Sequence, residues 1–174
     1  MRIGTTAPDF ELADHSGERR ALTELTAAGP VVLFFYPAAN SPICTAQACH
    51  FRDLGTEFER LGAQRIGIST DTRDRNQHFA LQRAFDFPLL SDSDGAVAEQ
   101  FGVRRGGWLT RKRRLRELER GHSTAARRGL VRQLLSVKRT TFVIDRHRVV
   151  RMVVRSERGH VHATKALDYL RYLS

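Results

Sequence analysis

An uninterrupted apolar run, Val31 to Tyr36, lies between Pro30 and Pro37. Continuous apolar runs of this length are typical of strands that are buried on both faces of a sheet. The run ends at Pro37, because proline has no amide hydrogen to donate to a sheet ladder. The sequence therefore predicts a fully buried strand over residues 31–36.

An amphipathic helix is predicted directly after this strand, over residues 45–61. Its apolar positions recur at three- and four-residue spacing, as expected for one buried helix face: Ala48, Phe51, Leu54, Phe58 and Leu61. Gly62 follows this pattern and is placed to end the helix.

The remaining pattern alternates between strands and helices. Strands are predicted at residues 10–12, 65–69, 88–90, 140–144 and 149–154, and helices at 71–85, 95–101 and 161–173. Either Asp92 or Ser93 can cap the helix at 95–101. This alternation favours a layered α/β domain, and 174 residues suit a single domain spanning 1–174.

The positive charge is concentrated in one segment. The chain has a net charge of +10, and residues 104–132 contribute eleven basic and two acidic side chains. We interpret residues 104–135 as a basic insert with two short helices, at 110–120 and 125–135. A charge run of this kind is usually a solvated surface, although its field attracts phosphates, anionic lipids or nucleic acids.

Partners of two kinds are disfavoured by the sequence. Trp108 is the only aromatic residue of the insert, whereas proteins that bind single-stranded nucleic acids stack the bases on several aromatic side chains. We therefore do not expect a nucleic-acid partner. No apolar stretch approaches the roughly 18 residues of a membrane span. Neither short helix of the insert pairs a strong apolar face with its charges, so membrane-surface attachment has no support and we expect no membrane partner.

The chain has two cysteines, Cys44 and Cys49, too few for a disulfide-stapled secreted domain. Residues 1–9 lack the apolar core of a signal peptide. We therefore expect a cytoplasmic protein, in which a disulfide is catalytic or sensory rather than structural.

Cys44 falls at the first turn of the predicted helix, where free amide groups and the helix dipole favour a thiolate. Ser41, three residues earlier, can hydrogen-bond the sulfur or a bound oxygen substrate. Cys49 also fits an interpretation without chemistry, as a small buried apolar residue. A zinc site from Cys44, Cys49 and His50 lacks a second ligand pair, so we expect no metal.

The spacing of the two cysteines constrains how they can react. Five residues of intact helix separate Cα atoms by roughly 8–9 Å, beyond the ~7 Å that a disulfide spans without backbone movement. A Cys44–Cys49 disulfide therefore requires the first part of the helix to unwind, and reduction should restore it.

Pro37, Ser41 and Cys44 form a Pro-x-x-x-Ser-x-x-Cys motif, and Cys49 follows Cys44 by five residues. The motif resembles the active-site motif of peroxiredoxins, and residues 44–53 resemble the bacterioferritin comigratory protein, or peroxiredoxin Q, subfamily. Supporting matches at residues 7–10, 90–92, 101–103 and 139–145 extend the resemblance over most of residues 4–103 and 136–172.

The resemblance implies a thioredoxin-like fold, with a central mixed β-sheet flanked by helices. It implies an antioxidant thiol peroxidase that reduces hydrogen peroxide and organic hydroperoxides without a cofactor. Cys44 would be the peroxidatic cysteine and Cys49 the resolving cysteine, with their disulfide reduced by thioredoxin or a similar thiol reductant. Pro37 would shield the site from water, Ser41 would orient the peroxide, and Arg139 would supply positive charge. Relatives are often monomers, and we expect a monomer.

The sequence departs from the family pattern at three places. Ile43 stands where relatives commonly carry glycine, and a β-branched residue there should stiffen the helix start. Ser41 replaces the commoner threonine, and residues 146–148 replace an Asp-Gly turn.

Two other functions fit parts of the sequence. One is a redox sensor that uses the cysteine pair as a switch and the basic insert as a binding surface. The other is a protein thiol–disulfide oxidoreductase, although such enzymes usually have a Cys-x-x-Cys spacing.

Overall fold

The computed structural model of the chain describes residues 1–104 and 137–173. The strands are β1 (Glu11–Ala13), β2 (Arg19–Ala21), β3 (Val31–Phe35), β4 (Gln64–Ser69), β5 (Leu89–Ser91), β6 (Thr140–Ile144) and β7 (Val150–Arg155). The helices are α1 (Leu22–Ala28), α2 (Pro42–Asp53), α3 (Gly55–Arg60), α4 (Arg73–Arg83), α5 (Ala96–Gln100) and α6 (Val161–Leu173).

Five strands form a mixed sheet in the order β5-β4-β3-β6-β7, and β1 and β2 form a separate hairpin. The central strand β3 is parallel to β4 and antiparallel to β6, and all its residues are buried. This confirms the fully buried strand that the apolar run predicted. In the β3–β6 register Phe35 pairs with Thr140, so the last residue of β3 lies beside the first residue of β6.

Alternating residues of the central strands contribute to two apolar layers. On one face of the sheet, Phe34 and Val143 pack among residues of α2, α3, α4 and α6. The rings of Phe34 and Phe51 are stacked, with centroids 4.2 Å apart. On the other face, Phe35 and Phe142 pack with residues of α1, α5 and the amino-terminal segment. Helices thus cover both faces, which is why the central strand has no polar side.

The helix predicted over residues 45–61 is two helices, α2 and α3, that meet at Leu54. The side chain of Arg65, which is buried, donates from Nη1 to the Phe51 carbonyl at 3.0 Å. A Cβ added at Gly55 would lie 2.6 Å from the same nitrogen. The buried guanidinium thus packs directly against this junction, which the apolar periodicity does not reveal.

Other boundaries shift by one to three residues, and α1 and β2 were not predicted. The start of α2 moves to Pro42, because proline suits the first helical position and Ser41 caps the helix. Asp92, not Ser93, supports α5, since its carboxylate accepts from the amides of Val97 at 3.1 Å and Ala98 at 2.8 Å. The strand at 140–144 and the helix at 161–173 have their predicted bounds.

The turn between β6 and β7 uses no glycine. Asp145 accepts from the amides of His147 at 2.9 Å and Val149 at 2.8 Å. Arg148 has a φ of 60°, the left-handed conformation that glycine usually adopts in such a turn. The side chain of Asp145 therefore stabilises a turn that the local residue types disfavour.

The two helices predicted at 110–120 and 125–135 lie outside the described residues. The described segments on either side are adjacent. Arg104 and Val137 form an isolated antiparallel β-bridge, and the Lys138 amide donates to the Val103 carbonyl at 2.6 Å. Within the described ranges, no helix is both long and apolar enough to cross a membrane.

Substitution of Gly67 should destabilise the fold through crowding at the sheet. A Cβ at this position would lie 2.6 Å from Leu89 Cδ2 and 2.9 Å from Phe34 Cζ. We expect Gly67→Ala to lower the free energy of unfolding by about 1–3 kcal/mol, as measured by urea denaturation. Ala46→Ser, at an exposed position of α2, is the control and should change it by less than about 0.5 kcal/mol. An unchanged value for Gly67→Ala would show that Phe34 and Leu89 can move aside.

Candidate active site

Both cysteines lie in α2 and both thiols are free. Cys44 is the third residue of the helix and only 1% of its surface is exposed, whereas Cys49 is half-buried. The helix is continuous from Pro42 to Asp53. The two cysteines are therefore held apart by helical geometry, in agreement with the prediction from their spacing.

The amino terminus of α2 is capped by Ser41. Its Oγ accepts a hydrogen bond from the Cys44 amide at 3.4 Å, and Pro42 occupies the first turn. This bond uses a lone pair of the hydroxyl, so its hydrogen is left to donate to a bound oxygen atom. The cap thus places a hydroxyl and the helix terminus beside the Cys44 sulfur.

Arg139 lies directly against Cys44, although the two residues are far apart in the sequence. Its Nη2 donates to Cys44 Sγ at 3.3 Å, and its side chain is only 4% exposed. The β3–β6 pairing explains the approach, because Arg139 precedes Thr140, the partner of Phe35 at the end of β3. Alternation along β6 places Arg139 on the sheet face of Thr141, which is the face that α2 covers.

Gln47 completes the site, and the sequence analysis missed it. It is fully buried, and its Oε1 accepts from Arg139 Nη1. The signal was present, since Cys44, Gln47 and Phe51 follow the i, i+3, i+7 spacing of the buried face of α2. A polar side chain on that face needs a buried partner, and the partner is Arg139.

Two buried donors of this cluster have no hydrogen-bond partner within residues 1–104 and 137–173. They are Gln47 Nε2 and Arg139 Nε. Burying a donor without an acceptor costs free energy. The surroundings of Cys44 are therefore rich in donors and suited to an anion.

The segment between β3 and α2 is fixed by polar contacts. The Tyr36 hydroxyl donates to Asn76 Oδ1 at 2.8 Å, and burial raises the pKa of Tyr36 well above its usual value, so it stays protonated. Asp71 accepts from the Ala39 amide at 2.6 Å. Pro37 is half-buried at the start of this segment, which leads to Ser41 and Cys44.

His162 is a second residue that the sequence analysis did not single out. It is buried, with Nδ1 2.9 Å from Thr141 Oγ1 and Nε2 3.0 Å from the Ser156 carbonyl oxygen. Because a carbonyl only accepts, Nε2 carries the proton and the Thr141 hydroxyl donates to Nδ1. Burial lowers the pKa of His162 to about 4, and the positive charge of Arg139 acts in the same direction.

No group of three His, Cys, Asp or Glu side chains within the described ranges could hold a metal ion. His50, the third member of the zinc alternative, is half-buried, and its Nδ1 is buried without a partner there. The sulfur of Cys44 instead faces Arg139.

The arrangement has a definite chemical capacity. A buried thiol lies at a helix amino terminus, against a guanidinium and within one helical turn of an amide donor. These groups stabilise a thiolate and a negatively charged oxygen beside it. The second thiol, at Cys49, can reach the first only if α2 unwinds.

Known proteins are similar to this chain in sequence and in fold. The model of the AhpC/TSA family matches residues 3–153. A putative peroxiredoxin of Mycobacterium tuberculosis (strain ATCC 25618 / H37Rv) is 49% identical over 172 residues, which cover 98% of this chain and 97% of that protein. Peroxiredoxin Bcp of Escherichia coli (strain K12) is 43% identical over 103 residues, which cover 59% of this chain and 65% of that protein. The crystal structure of peroxidoxin BcpB from Mycobacterium tuberculosis has a TM-score of 0.83 and 47% identity, covering 100% of this chain and 99% of that one.

The buried His162 should make stability depend on pH. The unfolded chain binds a proton at this residue below about pH 6.5, whereas the folded chain does so only near pH 4. Stability that is present above pH 6.5 is therefore lost as the pH falls towards 4, by up to about 3 kcal/mol. We expect His162→Gln to flatten the slope of the unfolding free energy over this range, as measured by urea denaturation.

The control for this prediction is His147→Gln, because His147 is exposed. It should retain the slope of the unsubstituted protein. If His162→Gln also retained that slope, His162 would titrate as an ordinary histidine.

Proposed function

We propose the roles of the two cysteines on the basis that the chain belongs to the AhpC/TSA family and is a thiol peroxidase of the peroxiredoxin Bcp/Q type. Cys44 attacks the peroxide and becomes a sulfenic acid, and Cys49 resolves that sulfenic acid. The observation that carries this assignment is the 3.3 Å contact between Arg139 Nη2 and Cys44 Sγ. A buried cation against a thiol favours the thiolate, which is the nucleophile in this chemistry.

In the first step, the Cys44 thiolate attacks the terminal oxygen of a hydroperoxide and breaks the O–O bond. The sulfur becomes a sulfenic acid, and the leaving oxygen takes a proton to become water or an alcohol. Arg139 and the Ser41 hydroxyl stabilise the negative charge that develops on the oxygen atoms. Pro37, half-buried before Ser41, limits the access of water to the sulfur.

In the second step, the Cys49 thiol condenses with the sulfenic acid, which forms a disulfide and releases water. The amino-terminal turns of α2 must unwind for this step, because the intact helix keeps the two Cα atoms roughly 8–9 Å apart. The carboxyl-terminal part of α2 is anchored more firmly. Arg65 donates to the Phe51 carbonyl at 3.0 Å, and Arg52 Nη1 donates to the Arg83 carbonyl at 2.6 Å. These anchors support an unwinding that stays amino-terminal to Phe51.

In the third step, a thiol reductant supplies two electrons by thiol–disulfide exchange and returns both cysteines to thiols. Peroxiredoxins act on peroxides with thiol reductants. We propose thioredoxin or a similar protein as the reductant, hydrogen peroxide and organic hydroperoxides as substrates, and a monomer as the working unit. This cycle requires a compartment that keeps thiols reduced, for which we propose the cytoplasm.

Mass spectrometry after one equivalent of hydrogen peroxide tests the roles of the two cysteines. The unsubstituted protein should lose two hydrogens, with Cys44 linked to Cys49 within one chain. Cys44→Ser should not turn over, because it lacks the residue that forms the sulfenic acid. Cys49→Ser should gain one oxygen at Cys44 and stop after a single event. Peroxidase turnover by Cys44→Ser would refute the assignment, and normal cycling of Cys49→Ser with thioredoxin would remove Cys49 from the resolving role.

Replacement of Arg139 should slow the first step specifically. We expect Arg139→Gln to lower the second-order rate constant for peroxide by roughly 10²–10³-fold, because the charge beside the sulfur is lost. The measurement is the rate of Cys44 oxidation in single-turnover stopped-flow experiments on the reduced protein. Arg146→Gln, at an exposed position, is the matched control and should react at the unsubstituted rate. Equal rates for the two variants would exclude Arg139 from the reaction.

A further inference from the structure

Gly159 lies directly against the first turn of α2. It is buried in the segment that precedes α6. A Cβ at this position would lie 2.7 Å from the carbonyl oxygen of Ile43 and 3.2 Å from both the amide nitrogen and Cβ of Gln47. Glycine is therefore required here by close approach, because any side chain would push into the helix that carries Cys44.

The segment around Gly159 is itself held in place. The Ser156 hydroxyl accepts from the Arg158 amide at 3.1 Å, and the Ser156 carbonyl accepts from His162 Nε2 at 3.0 Å. His162 is in turn bonded to Thr141 on β6 at 2.9 Å. The segment that contains Gly159 is thus anchored to β6 through His162. Gly159 therefore cannot easily move away from α2.

The two residues that Gly159 touches are linked to the reaction. Ile43 directly precedes Cys44, and Gln47 binds the guanidinium that contacts the Cys44 sulfur. We propose that Gly159 is a positioning residue, whose contact holds the first turn of α2 helical and thereby sets the reduction potential of the Cys44–Cys49 pair. This inference rests on the proposed function, since it requires that disulfide to form.

The direction of the effect follows from the two states of the helix. The contact exists when Cys44 and Cys49 are thiols and α2 is intact, and it is lost when the first turns unwind to form the disulfide. A methyl group at residue 159 would therefore destabilise the dithiol state and leave the disulfide state unaffected. In the exchange equilibrium, protein disulfide and reduced dithiothreitol give protein dithiol and cyclic oxidised dithiothreitol. This equilibrium would shift towards the protein disulfide.

The test is a redox titration of the full chain with Gly159→Ala against dithiothreitol mixtures, with the fraction of disulfide read by thiol alkylation and mass spectrometry. We expect the equilibrium constant to shift towards the disulfide on the order of tenfold, a potential about 30 mV more negative. The matched control is Gly29→Ala, whose methyl group would collide with the Gly62 carbonyl oxygen before the amino end of β3, at the opposite end of the strand from Cys44. The control should lose stability but keep the potential of the unsubstituted protein.

Two results overturn the inference separately from the proposed function. Unchanged potentials in Gly159→Ala, or equal shifts in both variants, would show that Gly159 is only a structural residue. The absence of any Cys44–Cys49 disulfide in the unsubstituted protein would instead refute the proposed function and this inference with it.

A second measurement needs no substitution and applies if Gly159→Ala does not fold. Amide hydrogen exchange of the unsubstituted protein should be faster at residues 159–162 in the disulfide state than in the dithiol state, because the contact with α2 is lost. Equal exchange in the two states would overturn the inference.

Discussion

The contact between the Arg139 guanidinium and the Cys44 sulfur depends on the pairing of β3 with β6. Arg139 directly precedes β6, Cys44 lies in the first turn of the helix that follows β3, and the antiparallel register places the end of β3 beside the start of β6. Burying a guanidinium costs free energy unless its N–H groups find acceptors. Cys44 Sγ and the side-chain Oε1 of Gln47 accept from two nitrogens of Arg139. The rest of the site follows from this pairing, because Gln47 has to lie on the same face of α2 as Cys44.

The proposed reaction places two opposing requirements on α2. It must be helical for Cys44 to meet Arg139 at the helix terminus, and it must unwind for Cys44 to meet Cys49. The contacts along the helix are unevenly distributed between its two ends. Arg65 and Arg52 hold its carboxyl-terminal part through backbone carbonyls, whereas the Ser41 cap and the Gly159 contact hold its first turn.

The departures from the family pattern are accommodated in different ways. Ile43 is 52% exposed, so its β-branched side chain points away from the core while its carbonyl faces Gly159. Arg148 adopts a left-handed backbone conformation that Asp145 supports through its carboxylate. Arg104 and Val137, the described residues on either side of 105–136, form an isolated β-bridge.

The sequence by itself determined the buried central strand, the alternation of strands and helices and the position of Cys44 in the first turn of a helix. These are local properties, set by apolar periodicity, proline and cap residues over a few neighbours. The motif resemblance added the thioredoxin-like fold and the peroxidatic assignment. The junction at Leu54, the buried Gln47 and His162 and the Gly159 contact were decided only by the tertiary structure. Each depends on a partner distant in sequence: Arg65 at the helix junction, Arg139 beside Gln47, Thr141 beside His162 and Ile43 against Gly159. Periodicity cannot specify such partners, because they are brought together by the pairing of the strands and by the packing of α2 and α6 on the same face of the sheet.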